Sequence, residues 1–300
     1  MFGVTILGNN SALPAFDRHP TSQVVTIGNT VLLIDCGEGT QMQLSRYRIK
    51  RSKINHIFIS HLHGDHYFGL IGLLTSMGLL GREQPLHLYA PAPLKQIIDL
   101  QLAVANVKLP YELLFYPLNK EEIIVDTPTF SVTCFNTIHR IECRGFFIKE
   151  KQKARKINKD VIANYNIPTH YFDALKEGKD FIQDNGTIVP NNELTIEAPQ
   201  PKSYAFCADT IYDEELPGKV NNADLLYHET TYLADHEEKA AARFHSTTIQ
   251  AATIARKAFA KKLLIGHFSS KYEKVDCFLE ETAAFFNNTQ LAIEGVTYLV

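Results

Sequence analysis

The segment HLHGDH at residues 61–66 brings four side chains that can bind a metal into six consecutive positions. Three imidazoles and one carboxylate are ligands that suit zinc. Residues 53–60 before this segment have the pattern of a buried strand, and the apolar residues 67–80 after it are compatible with a helix. We therefore expect a tight turn that holds the ligands close together. One histidine in such a turn most often belongs to a core, but three histidines and an aspartate at this spacing indicate a metal site.

Two of these side chains, Asp65 and His66, are expected to point away from His61 and His63, so that one tetrahedral ion cannot bind all four. The turn therefore predicts two metal ions, which take further ligands from elsewhere. Three more polar side chains follow apolar runs: His139 after 129–136, Asp209 after 203–207 and His267 after 262–265. Open α/β sheets place their chemistry at the carboxyl ends of strands. Each residue alone is equally compatible with a core histidine or a turn aspartate, but together they complete two sites.

The pattern of apolar runs along the chain predicts strands that are bordered by helices. Strands are predicted at 2–8, 22–28, 31–35, 54–60, 85–90, 129–136, 144–149, 203–208, 223–228, 262–266 and 295–299. Helices are predicted at 41–44, 68–80, 94–104, 247–260 and 275–286. Asp35, at the end of its strand, is expected to orient a ligating imidazole and not to bind metal itself. Sheets bordered by helices favour an αββα sandwich.

Several motifs along nearly the whole chain resemble those of one family. The matching segments are ILGNNSALPAFDRHPTS (6–22), DCGEGTQ (35–41), HLHGDHYFGL (61–70), IHRIECRGF (138–146), FCADT (206–210), HETTY (228–232), HSTT (245–248) and GHFSSKY (266–272). They resemble the metallo-β-lactamase superfamily and, more narrowly, the ribonuclease Z family of tRNA 3′-processing endonucleases in its short form. The segments at 35–41, 228–248 and 266–272 are much more specific to that family than the histidine turn.

The resemblance implies an α/β fold, the four-layer αββα sandwich of the metallo-β-lactamase type, as a single domain over 1–300. It implies an inserted flexible arm at approximately 150–200 that binds tRNA, and two Zn2+ ions per chain. The ligands of one ion would be His61, His63, His139 and Asp209. Those of the other would be Asp65, His66, His267 and the bridging Asp209.

The implied reaction is zinc-dependent cleavage of the 3′ trailer from precursor tRNA, which leaves a 3′-hydroxyl on the tRNA and a 5′-phosphate on the trailer. A metal-activated water would attack the phosphorus, because two metal ions lower the pKa of a shared water toward neutrality. Asp65 is expected to orient or deprotonate this water. His245 is the best candidate to protonate the leaving oxygen, and Glu229 would orient its ring. Without the resemblance, both residues would more readily be taken as structural.

The arm departs from the family pattern, because residues 166–172 lack the Gly-Pro pair that the arm carries in ribonuclease Z. The net charge of −3 is also unusual for a protein that binds nucleic acid, since phosphate contacts usually leave a basic footprint. Two local basic clusters are candidates, at 46–53 and 149–159, although charge runs are usually only solvated. We expect the first to contact RNA, because it leads into the strand that ends in His61.

The composition agrees with an enzyme of the cytoplasm. No apolar run approaches the roughly 20 residues that cross a bilayer, and the N-terminal residues read as a strand and not as a signal peptide. The five cysteines are scattered without disulfide or metal spacing, which fits a reducing compartment. The resemblance further implies a homodimer in which the arm of one subunit serves the active site of the other.

Two alternatives remain open from the sequence. A metallohydrolase of the same fold acting on a small phosphodiester or ester would use the same ligands, although the HETTY and HSTT motifs and the arm-like insertion argue against it. A metal-stabilised binding protein without catalysis is the more distant alternative. The complete ligand set and the candidate general acid argue against that second alternative.

Overall fold

Twenty strands make up the two sheets and three small strand pairs in the computed structural model, which describes residues 1–300. In chain order they are β1 (Phe2–Gly8), β2 (Asn10–Ser11), β3 (Ser22–Ile27), β4 (Thr30–Ile34), β5 (Ile54–Phe58), β6 (Leu86–Ala90), β7 (Leu113–Pro117), β8 (Glu122–Asp126), β9 (Phe130–Thr137), β10 (Cys143–Glu150), β11 (Lys156–Ile157), β12 (Phe181–Ile182), β13 (Ile188–Val189), β14 (Thr195–Ile196), β15 (Ser203–Cys207), β16 (Leu225–Glu229), β17 (Leu263–Gly266), β18 (Phe268–Ser269), β19 (Thr289–Leu291) and β20 (Thr297–Leu299).

Eleven α-helices accompany the strands. They are α1 (Thr40–Arg46), α2 (Gly64–Tyr67), α3 (Leu70–Leu79), α4 (Pro93–Val104), α5 (Lys159–Ile162), α6 (Phe172–Lys176), α7 (Asn191–Leu194), α8 (Leu216–Lys219), α9 (Glu237–Arg243), α10 (Thr248–Lys257) and α11 (Asp276–Ala283). Short 3-10 turns lie at Arg51–Lys53, Ala163–Tyr165, Thr169–Tyr171 and Ala234–His236. The longer helices cover the outer faces of the sheets, and α5, α6 and α7 lie in the region between β10 and β15.

Two seven-stranded sheets carry the fold, with strand orders β20-β1-β3-β4-β5-β6-β7 and β19-β17-β16-β15-β10-β9-β8. In the first sheet β4, β5, β6 and β7 run parallel, and in the second sheet β15, β16, β17 and β19 do so. The first strand, β1, pairs with both β3 and the last strand, β20. The parallel strands of each sheet therefore end at a common edge.

Three buried apolar clusters fill the spaces between the layers of the fold. The largest holds 24 residues between the two sheets, among them Val4, Phe58, Phe146 and Phe206. A second, of 19 residues, packs the first sheet against α1, α3 and α4, and a third, of 16 residues, packs the other sheet against α8, α10 and α11. Strand residues alternate between the inner and outer clusters, as the period of two requires. The architecture confirms the predicted four-layer αββα sandwich.

The apolar pattern missed several elements that lie at the margins of the sheets. The parallel strand β7 and the strand β8 are edge strands, and β8 exposes three of its five residues to solvent. Neither strand has the buried pattern that identifies the central strands, because an edge strand packs on fewer neighbours. The short β19 and the polar helix α9 were also missed, the latter because it buries only Ala240.

Residues 151–202 form an insertion between the antiparallel strands β10 and β15. It contains the helices α5, α6 and α7, two small strand pairs and a cluster of its own, formed by Ile167, Leu175, Phe181, Val189 and Leu194. Within it, the 3-10 turn Thr169–Tyr171 leads directly into α6. The insertion is thus locally ordered around its own small core.

The position of the basic cluster at 46–53 overturns the reason for preferring it as an RNA contact. The cluster precedes the amino end of β5, whereas His61 and its neighbours follow the carboxyl end. A strand of five residues separates its ends by about 17 Å. The cluster therefore lies toward the opposite edge of the sheet from the candidate ligands. No helix of the protein has the length and apolar character that a membrane crossing requires.

Candidate metal centre

The candidate site residues follow the carboxyl ends of strands that point in one direction. Asp35 follows β4, and the turn at 61–66 follows β5 and enters α2. In the second sheet His139, Asp209 and His267 follow β9, β15 and β17, and Glu229 is the last residue of β16. Because both sheets bring these ends to the same side of the sandwich, the seven candidate ligands converge although they span more than 200 residues.

The first cluster contains His61, His63, His139 and Asp209, whose ligand atoms all lie within 4.8 Å of one another. His61 Nε2 and His139 Nε2 each lie 3.0 Å from His63 Nδ1. They lie 3.6 and 3.7 Å from Asp209 Oδ2. Three imidazole nitrogens and one carboxylate oxygen therefore face a common point, which is the donor set that zinc takes in tetrahedral sites.

The second cluster contains Asp65, His66 and His267, together with the other oxygen of Asp209. Asp209 Oδ1 lies 3.5 Å from His66 Nε2 and 3.1 Å from His267 Nε2, and Asp65 Oδ2 lies 3.6 Å from both nitrogens. These two nitrogens and Asp209 Oδ1 are buried and have no hydrogen-bond partner. Unpartnered buried groups are costly, and a cation among them would satisfy all three. The residues present therefore fit a metal ion here.

Asp209 is central to both clusters because it offers one oxygen to each. Burial alone would raise the pKa of this carboxyl, but the facing imidazoles of His267 and His66 hold it well below its usual range. Burial also keeps His61 and His63 neutral, lowering the pKa of His61 well below its usual value and that of His63 to about 4. A charged carboxylate and neutral imidazoles are the protonation states in which these groups bind metal.

Asp35 and Ser60, which we call the first support pair, hold two of the candidate ligands. The Nδ1–H of His66 donates to Asp35 Oδ2 at 2.7 Å, and the backbone N–H and hydroxyl of Ser60 donate to the same carboxylate. Ser60 Oγ also lies 3.1 Å from His61 Nδ1. Asp35 and Ser60 have no exposed surface. The pair thereby turns Nε2 of both imidazoles toward the clusters.

Glu229 and Thr231, the second support pair, are arranged in a similar way at the end of β16. His245 Nδ1 lies 2.8 Å from Glu229 Oε1, and Thr231 Oγ1 lies 2.5 Å from Glu229 Oε2. Thr231 Oγ1 also lies 3.0 Å from His267 Nδ1. Burial would lower the pKa of His245, but the Glu229 carboxylate raises it to about 9. His245 is therefore protonated at neutral pH, with Glu229 as its counter-ion.

A third grouping of possible ligands, formed by Asp209, Glu229, His245 and His267, overlaps the second cluster. Glu229 is a poor ligand, because its oxygens already accept hydrogen bonds from the backbone N–H groups of Thr210 and Thr231, from the Thr231 hydroxyl and from His245. An ion at this position would have to displace them. We therefore assign Glu229 and His245 to a neighbouring ion pair and not to a metal.

The structure brings together all ten residues that the sequence analysis singled out, Asp35 included, and it adds supporting groups that the sequence did not indicate. Ser60 and Thr231 are two of them. The backbone N–H of Ala12 donates to Asp65 Oδ2 at 2.7 Å, and the carbonyl of Phe244 accepts from His139 Nδ1 at 2.9 Å. No sequence pattern distinguishes these groups, because backbone groups and hydroxyls are present throughout any chain. Only the position of Ser60 and Thr231 beside motif residues was a signal.

Comparisons with known proteins identify relatives of this chain. A family model described as "Anti-Pycsar protein Apyc1" matches residues 2–167, and this part of the chain belongs to that family. Proteins named ribonuclease Z from Bacteroides thetaiotaomicron and Phocaeicola vulgatus are 42% and 43% identical over 98% of this chain, which spans 94% and 96% of theirs.

Two solved structures extend the comparison. The short form of human tRNase Z superposes with a TM-score of 0.70 at 25% identity, over 99% of this chain and 98% of the other. The metallo-β-lactamase fold protein YhfI from Bacillus subtilis superposes with a TM-score of 0.71 at 20% identity, over 99% of this chain and 98% of the other. This superposition shows the shared fold. The family model ends before Asp209, whereas the relatives named ribonuclease Z span every residue of the candidate site. The chain belongs to the ribonuclease Z family.

Proposed function

We propose that this protein is an endoribonuclease that removes the 3′ trailer from precursor tRNA by metal-dependent hydrolysis of one phosphodiester bond. The observation that carries the proposal is the pair of ligand clusters that share Asp209, with the protonated His245 beside them. A centre of this kind can activate water on one side of a phosphate and supply a proton on the other. The tRNA leaves with a 3′-hydroxyl, and the trailer leaves with a 5′-phosphate.

The proposed cofactor is Zn2+, two ions per chain. The first would be held by His61, His63, His139 and Asp209, and the second by Asp65, His66, His267 and the shared Asp209. Imidazole and carboxylate donors suit zinc, although manganese and iron accept similar sites. Two such ions, when bound, lower the pKa of a water between them and take up negative charge on the phosphate oxygens.

Asp65 and His245 are the proposed catalytic residues. Burial would raise the pKa of Asp65, but the opposing effect of His66 and His267 is larger and lowers the pKa below its usual value. Asp65 is therefore a carboxylate at neutral pH. It therefore accepts a hydrogen bond from the attacking water and orients it. His245 donates its proton to the leaving 3′-oxygen from Nε2, because Glu229 holds its Nδ1. Glu229 is a positioning residue that also keeps the ring charged.

The experiment that tests the function compares two substrates. Purified protein should cut a precursor tRNA with a 3′ trailer at one position, and it should hydrolyse bis-p-nitrophenyl phosphate slowly. Activity on the small phosphodiester alone would favour the small-substrate metallohydrolase. Inactivity on both with metal bound would favour the binding protein.

We also propose that the insertion at approximately 150–200 is a tRNA-binding arm. β10 runs from Cys143, beside Asp209, to Glu150, so the insertion leaves the sheet at the edge remote from the ligands. Its first residues include Lys153, Arg155 and Lys156, which suit phosphate contacts. Replacing 151–202 by a short Gly-Ser linker should cripple cleavage of precursor tRNA but spare the small phosphodiester, since remote binding energy serves only the large substrate. Equal loss on both, in a folded and metallated variant, would contradict the proposal.

We further propose a cytoplasmic homodimer in which the arm of one subunit serves the active site of the other. Several large apolar side chains are exposed on or beside α2, α3 and α4, which supports an interface there: Phe68, Leu79, Leu80, Leu100 and Val104. All five cysteines are free, which fits a reducing compartment. Sedimentation should give twice the chain mass, and a monomer with full activity on precursor tRNA would contradict the shared arm.

A further inference from the structure

Thr231 lies between the second ligand cluster and the pair formed by Glu229 and His245, which we call the acid pair. It lies two residues beyond the end of β16 and is 2% exposed. Its hydroxyl oxygen has three polar neighbours: Glu229 Oε2 at 2.5 Å, His267 Nδ1 at 3.0 Å and His245 Nδ1 at 3.3 Å. One of these groups belongs to a ligand cluster and the other two form the acid pair. A single hydroxyl therefore contacts both.

The direction of these hydrogen bonds follows from the chemistry of the groups. The Glu229 carboxylate can only accept, so Thr231 donates its one hydroxyl proton to Oε2. The oxygen of Thr231 then accepts from the Nδ1–H of His267. This places a proton of the His267 ring on Nδ1, so that Nε2, 3.1 Å from Asp209 Oδ1, is the nitrogen that can bind an ion. The Nδ1–H of His245 is directed to Glu229, which is 0.5 Å nearer than Thr231.

His267 has no other hydrogen-bond partner at Nδ1. His66, in the same cluster, reaches the Asp35 carboxylate directly at 2.7 Å. Nδ1 of His267 reaches a carboxylate only through the Thr231 hydroxyl, and that carboxylate is the one that orients His245. The orientation of a metal ligand and the orientation of the general acid therefore depend on the same two groups.

We propose that Thr231 is a positioning residue that couples the second metal position to the acid pair. Its hydroxyl fixes His267 for the ion, and the same hydroxyl holds Glu229 in the orientation that His245 requires. The role rests on the proposed two-ion function. It differs from simple space filling, because it needs the hydroxyl and not the volume of the side chain.

The matched variants are Thr231→Val, which removes the hydroxyl at similar volume, and Thr231→Ser, which keeps it. Thr230→Val is the control, since Thr230 is also buried and its hydroxyl contacts only the carbonyl of Gly266, at 3.3 Å. The first readout is zinc binding to the apo-protein, measured by competition with a chelator. Thermal unfolding of each apo-protein verifies that it is folded.

Thr231→Val should bind the second zinc ion about 10–100-fold more weakly, the usual effect of losing a group that orients a ligand, with the first ion unchanged. Thr231→Ser and Thr230→Val should bind both ions like the unsubstituted protein. The role is overturned if Thr231→Val binds both ions normally, or if Thr231→Ser loses as much as Thr231→Val. An unsubstituted protein that binds only one ion would overturn the two-ion centre itself, and with it this role.

The second readout tests the link to the acid. With zinc saturating, kcat of Thr231→Val should fall about tenfold further on precursor tRNA than on bis-p-nitrophenyl phosphate, because only the RNA leaving group needs a proton from a well-oriented His245. Thr231→Ser should restore the ratio of the two rates. An unchanged ratio in Thr231→Val, with its zinc affinity reduced, would overturn the coupling and leave Thr231 as a support of His267 alone.

Discussion

The two support pairs of the centre are built alike, yet they hold residues with different proposed roles. In each pair one imidazole contacts the carboxylate directly: His66 on Asp35 and His245 on Glu229. In each pair a second imidazole contacts the hydroxyl: His61 on Ser60 and His267 on Thr231. All of these groups are at least nine-tenths buried.

The difference lies in what the other ring nitrogen faces. His61, His66 and His267 direct Nε2 toward Asp209, whereas His245 is held with Nδ1 toward Glu229 and lies outside the two ligand clusters. In the proposed function, a carboxylate partner therefore does not by itself distinguish a histidine that binds metal from one that donates a proton. The two proposed roles differ in how the ring is placed relative to the shared Asp209.

The largest effect should come from removing the group between the two pairs. Asp209→Ala takes one oxygen from each cluster, so we expect loss of at least one zinc ion per chain and of activity on every substrate. Elemental analysis of the purified variant beside the unsubstituted protein measures this. A fully active unsubstituted protein that holds a single ion would contradict the shared role of Asp209.

Truncating the two carboxylate-bound imidazoles should separate their roles. His66→Ala should lose a zinc ion, whereas His245→Ala should keep both ions and slow cleavage of precursor tRNA by about 10²–10⁴-fold, the usual contribution of general acid catalysis. The defect of His245→Ala should shrink on bis-p-nitrophenyl phosphate, whose leaving group needs no proton. Equal losses on both substrates would show that His245 binds substrate or metal instead.

Neutralising the carboxylate of each pair should again affect either zinc binding or cleavage of precursor tRNA, but by less than truncating the imidazole. Asp35→Asn should weaken zinc binding about 10–100-fold through His66. Glu229→Gln should mainly reduce cleavage of precursor tRNA, by less than His245→Ala, because the acid remains but is less well oriented. The zinc affinity and the ratio of rates on the two substrates distinguish them. If Glu229→Gln left the ratio of the two rates unchanged, or if Asp35→Asn changed that ratio as much, the comparison of the pairs would fail.

The smallest effect should be a pH dependence that belongs to the second pair. The pKa of His245 is raised to about 9, so its proton is present at neutral pH and is lost as the pH rises through about 9. We therefore expect kcat on precursor tRNA to decline above that pH, and Glu229→Gln to move the decline to lower pH. The decline should be absent with the p-nitrophenyl substrate and in His245→Ala. Its persistence in His245→Ala would assign it to another group.

The sequence was most informative where chemistry is contiguous or ends a strand. HLHGDH lies within one turn, and His139, Asp209 and His267 each follow an apolar run, so that strand direction brings them together. Glu229 and His245 are 16 positions apart, and only the family resemblance paired them. Ser60 and Thr231 escaped notice because a hydroxyl gains its role from neighbours on other strands. The reason for preferring the basic cluster at 46–53 was wrong, because nearness along the chain differs from nearness in space.

The pairing of β1 with β20 has a consequence for the order in which this protein becomes active. This pairing joins strands that lie far apart in the chain, and the proposed ligands extend from His61 to His267. A nascent chain therefore lacks a strand of the first sheet until β20 has been translated, and it lacks its last proposed ligand until His267 has been translated. We expect the emerging polypeptide to have no nuclease activity while it is still attached to a ribosome surrounded by RNA.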